Sequence, residues 1–225
     1  KINFIYSHRL NLGKIRREEN ILWSFAPHDI SMILSLAGEE PENVLATGGN
    51  YLHQRIADVT TTHLEFPSGL RAHIFVSWLH PFKEQKLVVV GDKKMAVFDD
   101  MSDEKLKLFP HEIQWLKRVP VASKAEPEVV EVAMDEPLKA ECQHFLTSIA
   151  ESQTPQTDGR EGLRVLQVLQ ASQASLDSSG AAITVAESSR LKAERKVQKP
   201  LSFEPGAKKY FVHESSYVDE GARIG

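Results

Sequence analysis

Leu70–Leu79 reads LRAHIFVSWL, and its period decides how the rest of the chain is built. Leu70, Ala72, Ile74, Val76 and Trp78 fall on one side. Arg71, His73 and Ser77 fall on the other, with Phe75 and Leu79 interrupting the polar side. Successive side chains of a strand point to opposite faces, so the stretch predicts a strand with one face in a core and a mixed outer face. The same period continues through 43–109, where VLATGGNYL, IADVTTTHLEF, EQKLVVVG and KMAVFDD are separated by turn signals such as Pro67-Ser68-Gly69 and Gly91-Asp92. Short connections between consecutive strands predict a largely antiparallel or mixed sheet.

Helical periods flank this region. Residues 1–20, KINFIYSHRLNLGKIRREEN, begin as an alternating apolar run and turn densely polar, which predicts a short strand and then a loop. Trp23–Gly38, WSFAPHDISMILSLAG, follows. Proline suits the first turn of a helix, where its missing N–H has no intrahelical partner, so Pro27 marks the expected start and Gly38 the end. Ile30, Ile33, Leu34 and Ala37 make one apolar stripe, and His28 projects from nearly the opposite side. The positive end of the helix dipole would favour Asp29 as an anion and His28 as a neutral imidazole able to accept a proton. From spacing alone, His28 serves equally well as a proton acceptor or as a capping or interface residue. Two later helices are expected. One spans Leu138–Glu151, and the other is opened by Asp158, with Glu161 at capping-box spacing and Val165, Leu163, Leu166, Leu169 and Leu176 on its buried side. Both should cover the sheet, giving an α+β fold.

The 225 residues carry a formal net charge of -4, so no global basic field draws the chain to nucleic acid. Cys142 is the single cysteine. An intramolecular disulfide and a multi-cysteine zinc site are thereby excluded, and a reducing, cytoplasmic setting is expected. No stretch approaches the ~18 apolar residues of a membrane span. Because the chain begins at Lys1, it reads as a piece of something longer. His63, His73 and His80 lie on or beside strands without metal-ligand spacing and read as sheet-surface or interface residues, so no metal is expected. Trp78 and Trp115 read as packing residues, Cys142 as a helix residue without redox work, and Arg17, followed by Glu18 and Glu19, as surface.

WSFAPHDISMIL, a strand containing Gly48-Gly49, HLEFPSGLRAHIFVSWLHPFKEQKLVVVG and DGREGLRVLQVLQASQ together resemble the C-terminal substrate domain of the Gfo/Idh/MocA oxidoreductases. The resemblance covers residues 1 to about 180, and its most specific part is the S-W-x-x-P-x-K strand ending before L-V-V-V-G. Within the family, RLNLGKIR and SFAPHDIS are most similar to bacterial sugar-nucleotide 3-dehydrogenases. The resemblance implies a domain over 1–186 and an NAD enzyme whose Rossmann half is missing from this chain. It further implies oxidation of the 3-hydroxyl of a UDP-N-acetylhexosamine or its uronate in polysaccharide biosynthesis, and homo-oligomers formed through the sheet. His28 matches the family's active-site histidine, whereas the aspartate that often stands four residues earlier is Ser24 here. Arg9, Asn11, Lys14 and Arg16 are the candidates for gripping a diphosphate or carboxylate, since guanidinium and amide donors match those oxygens. A non-catalytic oligomerisation module is the competing reading.

Residues 187–209 have linker composition. In 210–225, Val212, Val218 and Ile224 recur every six residues, with Ser216 and Ala222 two positions before the latter two. This resembles the start of the hexapeptide repeat of left-handed β-helix acyltransferases and implies a fusion to an acetyltransferase. Less than one coil is present, too little to bury a core alone.

Overall fold

The computed structural model describes residues 1–133 and 136–186, so the expected linker and hexapeptide segment lie outside the described residues. The elements run β1 (Ile2–Leu10), α1 (Ile21–Ala37), β2 (Asn43–Gly49), β3 (Val59–Glu65), β4 (Arg71–Ser77), β5 (Glu84–Gly91), β6 (Met95–Asp99) and β7 (Leu106–Phe109). They continue with β8 (Glu112–Leu116), β9 (Val119–Ser123), β10 (Glu128–Val130), α2 (Pro137–Ala150), α3 (Gly159–Asp177) and β11 (Ile183–Thr184). Nine strands form one sheet in the order β10-β7-β6-β5-β1-β4-β3-β2-β11, and β8 and β9 form a separate hairpin. Every neighbouring pair in the large sheet is antiparallel except β1 with β4. The mixed sheet expected from the strand periods is therefore present, with β1 in its middle.

The inner face of the sheet holds the core. Ile5, Leu64, Ala72, Ile74, Val76 and Trp78 are buried there, and Ile30, Ile33 and Leu34 of α1 and Val168 and Leu169 of α3 close over them. Each valine, leucine or isoleucine among them contributes about 1.5–3 kcal/mol by leaving water. The two helices are tied at their polar edges, where Gln173 Oε1 accepts from Asn20 Nδ2 at 2.8 Å and from Trp23 Nε1 at 3.0 Å. Gly48 has no room for a side chain, since a Cβ there would lie 2.7 Å from the Val59 carbonyl oxygen of β3 and 3.0 Å from Leu176 Cδ1 of α3.

Several expectations need correcting. α1 begins at Ile21 and not at Pro27, because Asn20 supplies the cap through Oδ1, which accepts from the Trp23 N–H at 3.2 Å. Pro27 lies inside the helix, where it deprives the Trp23 carbonyl of the usual i+4 donor. His28 is thus mid-helix, beyond the first turn to which the dipole effect is confined, and the dipole argument for its neutrality falls. Helix α2 does not cover the sheet: Leu138, Phe145, Leu146 and Ile149 are exposed and only Ser148 is buried. Leu163 and Leu166 of α3 are also exposed, and its buried side is Val168, Leu169, Ala171, Ser172 and Ser175. Asp158 does cap α3, accepting from the N–H groups of Arg160 and Glu161, but the Glu161 carboxylate turns to Arg164 at 2.7 Å. Trp78 is fully buried, as a packing residue should be, whereas Trp115 on the β8–β9 hairpin is 71% exposed.

One ion pair joins β1 to α1. Arg9 Nε donates to Asp29 Oδ2 at 2.7 Å, with side-chain exposures of 16% and 2%. Burial raises the Asp29 carboxyl above the ordinary aspartate value, and the Arg9 guanidinium opposes that rise. On the outer face, Phe4, Tyr6 and His8 of β1 lie against His73 of β4, whose ring stacks on Tyr6 at 5.4 Å. Burial, then His63 and His8, lower the His73 pKa.

Two outcomes follow from these contacts. Asp29→Ala leaves a largely buried guanidinium uncompensated and should cost about 3 kcal/mol in urea unfolding, while Arg9→Met/Asp29→Leu should recover most of that loss. Equal destabilisation by the single and double variants would show that the pair does not hold α1 on β1. Because His73 resists protonation when folded, its contribution is complete above the ordinary histidine value and is lost as pH falls below about 6.5 toward its lower folded value. Thermal melts of His73→Phe should be flatter than wild type across that window, and identical slopes would contradict the assignment.

Candidate active site

His28 stands on the outward side of α1 at the mouth of a cavity of about 380 Å³ between that helix and the ends of β1, β5 and β6. Its ring is exposed and makes no hydrogen bond among the described residues. The neighbouring Asp29 points inward instead, as the 100° step between adjacent helical residues requires. Arg9, Asp29, Gln85, Lys86 and Asp100 form the polar wall of the cavity, and Met32, Leu87 and Phe98 its apolar side.

The wall is a continuous polar network. Arg9 and Gln85 are register partners across β1 and β5. With the Gln85 amide oriented to satisfy both neighbours, its oxygen accepts from Arg9 Nη1 at 3.0 Å and its nitrogen donates to Asp100 Oδ2 at 2.8 Å. Lys105 Nζ donates to Asp100 Oδ1 at 2.7 Å, whereas the Lys86 ammonium is on the His8 side of the sheet, 3.2 Å from Asp99 Oδ2, and does not join this network. The described residues thus include an imidazole open to solvent beside an acceptor-rich and donor-rich wall whose groups are hydrogen-bonded to one another. Such an arrangement can orient a hydroxyl-bearing ligand against an imidazole.

Of the residues picked from the sequence, the structure brings Arg9 and His28 to one cavity. Ser24 sits one helical turn before His28 and does not line that cavity. Asn11, Lys14 and Arg16 belong to the polar loop after β1. The Asn11 N–H donates to the Ser77 carbonyl at 3.1 Å, Lys14 is exposed, and Arg16 Nε pairs with Glu19 at 3.0 Å. Gln85, Lys86 and Asp100 were not anticipated. Their only sequence signal is the strand register that sets Gln85 opposite Arg9, and register is not visible before the strands are paired. His63 and His73 lie on the outer sheet face, and His80 beyond β4 accepts from or donates to no side chain but contacts the Phe82 carbonyl at 2.8 Å. Among the described residues no group of three or more histidine, cysteine or acidic side chains is placed to hold a metal ion. Cys142 is an exposed helix residue.

The described residues do not fit a dinucleotide. All three helix N-termini are closed by side chains of Asn20, Glu136 and Asp158, which leaves no open cradle of N–H groups for a pyrophosphate. No helix among them is long and apolar enough to cross a membrane.

Residues 8–97 match the family model of the GFO/IDH/MocA C-terminal domain. No curated protein sequence matches. Among solved structures, UDP-N-acetylglucosamine 3-dehydrogenase GnnA from Acidithiobacillus ferrooxidans is similar at 22% identity and TM-score 0.68, covering 79% of this chain and 56% of its own. A putative NADPH-dependent oxidoreductase from Desulfitobacterium hafniense is similar at 20% identity and TM-score 0.63, with 83% and 58% covered. Levoglucosan dehydrogenase, in complex with NADH and levoglucosan, is similar at 15% identity and TM-score 0.65, with 82% and 59% covered. The chain spans little more than half the length of these structures. The mixed sheet, with α1 and α3 laid over one face, is similar in fold to these structures, and residues 8–97 within it match the GFO/IDH/MocA C-terminal domain model.

Proposed function

We propose that this domain is the substrate-binding half of a nicotinamide-dependent sugar-nucleotide dehydrogenase that oxidises the 3-hydroxyl of a UDP-N-acetylhexosamine or its uronate. The observation that carries the reading is His28, exposed at the mouth of a cavity with Arg9, Gln85 and Asp100 on its wall. Similarity in fold to GnnA and to levoglucosan dehydrogenase supports the class of reaction. Oxidation of a secondary alcohol removes a proton from oxygen and a hydride from carbon. NAD, held by residues other than those described here, would accept the hydride.

This chain's own part is the proton and the placement. His28 takes the hydroxyl proton, and its freedom from intramolecular hydrogen bonds leaves a ring nitrogen available to do so. Ser24, one turn earlier on the same side of α1, is close enough in sequence register to contact the same sugar. Asn11, Lys14 and Arg16 meet the diphosphate from the polar loop. The Arg16–Glu19 pair is half exposed, and such pairs hold by ~1 kcal/mol or less, so a phosphate can displace the glutamate. Copies of the chain pair through the outer sheet face bearing Phe4, Tyr6, His8 and His73. The enzyme serves bacterial polysaccharide biosynthesis, and the segment 210–225 leads into an acetyltransferase.

General acid–base help contributes ~10²–10⁴-fold, so His28→Asn in the enzyme carrying this domain should lower kcat by at least about 10²-fold with an unchanged melting curve. Stopped-flow or steady-state NADH absorbance measures it. Turnover equal to wild type would remove His28 from the reaction.

A further inference from the structure

We infer that the His28 cavity takes an uncharged hexose ring, so that the UDP-N-acetylhexosamine with a 6-hydroxyl is bound and its 6-carboxylate counterpart is disfavoured. The inference rests on the function proposed above and narrows its substrate.

Arg9 is the cation whose side chain faces the cavity, Asp29 and Asp100 are the carboxylates of its wall, and each is already engaged. Arg9 is met by Asp29 at 2.7 Å and by Gln85 at 3.0 Å. Asp100 is met by Lys105 at 2.7 Å. A carboxylate entering this cavity therefore finds no cation without an acidic partner on the described wall, and it faces Asp100. Like charges in a partly dehydrated cleft repel, and a desolvated carboxylate without its own cation loses more than it gains.

Hydroxyl groups find the opposite. An ionised carboxylate offers about four lone-pair sites, and Asp100 uses two of them, on Lys105 and Gln85. The remainder can accept from sugar O–H donors. Met32, Leu87 and Phe98 supply an apolar side against which the C–H face of a pyranose can lie. At about 380 Å³ the cavity is near the lower end of the ~300–1,000 Å³ usual for ligand sites, the size of one sugar and not of the whole nucleotide sugar. The C6 substituent of a hexose whose 3-hydroxyl touches His28 must then share the cavity, which is why its charge is read there.

The test uses the intact 225-residue chain, titrated with UDP-N-acetylglucosamine and with UDP-N-acetylglucosaminuronate, two ligands that differ only at C6. The His28 imidazole signal, assigned with a His28→Gln protein, reports binding by NMR. The expected result is that the 6-hydroxyl ligand binds about tenfold more tightly or better, and that Asp100→Asn narrows the difference to about threefold or less. Should Asp100→Asn fail to fold, Gln85→Glu adds a negative charge to the same wall and should widen the difference. Equal or tighter binding of the uronate, or a ratio indifferent to both variants, overturns the inference and leaves the proposed function standing. If neither ligand perturbs His28, both fall.

Discussion

The structure depends on the contact between Arg9 and Asp29. It crosses from the middle strand of a nine-stranded sheet to the one helix that presents the histidine, and it is almost wholly removed from water. A buried pair of this kind adds little stability beyond what apolar residues would supply, because both charges lose hydration. Its consequence is orientation. With Asp29 anchored inward on Arg9, the next side chain back along the helix, about 100° around the axis, must face away from the core. The exposure of His28 is thus a result of where Asp29 goes.

From Arg9 the same network runs outward through Gln85 to Asp100 and Lys105, linking β1, α1, β5 and the turn after β6. Hydrogen bonds in series polarise one another, and every member of this series is positioned by at least one charged neighbour. The charges of this series cancel within the cavity wall, and this decides what the cavity can hold better than its volume does.

Much of this architecture could be read before any coordinates. Alternation in Leu70–Leu79 placed Ala72, Ile74, Val76 and Trp78 in the core, where they are, and the apolar stripe Ile30, Ile33 and Leu34 lies against the same sheet. Local signals misled where two of them competed. Pro27 is a good helix starter and hid Asn20, an equally good cap about two turns earlier. Leu163 and Leu166 fit a helical stripe, but α3 packs on α1 and β2 through Val168, Leu169, Ala171, Ser172 and Ser175, leaving those leucines outside. His28 was visible because an exposed imidazole opposite an apolar stripe is a local pattern. Gln85 and Asp100 were not, since they meet Arg9 only through strand pairing and lie far from it along the chain.

The outer face of the sheet has a different character from the site. Phe4, Tyr6, His8 and His73 form a half-buried aromatic group there with no helix over it among the described residues, and the site lies on the opposite, helix-bearing side. A crystal structure of the chain with bound UDP-N-acetylglucosamine tests the central claim most directly: the account expects a sugar hydroxyl oxygen within hydrogen-bonding distance of a His28 ring nitrogen and the ring of the sugar between Asp100 and Phe98. A sugar bound elsewhere, with the His28 ring turned from it, would contradict the account.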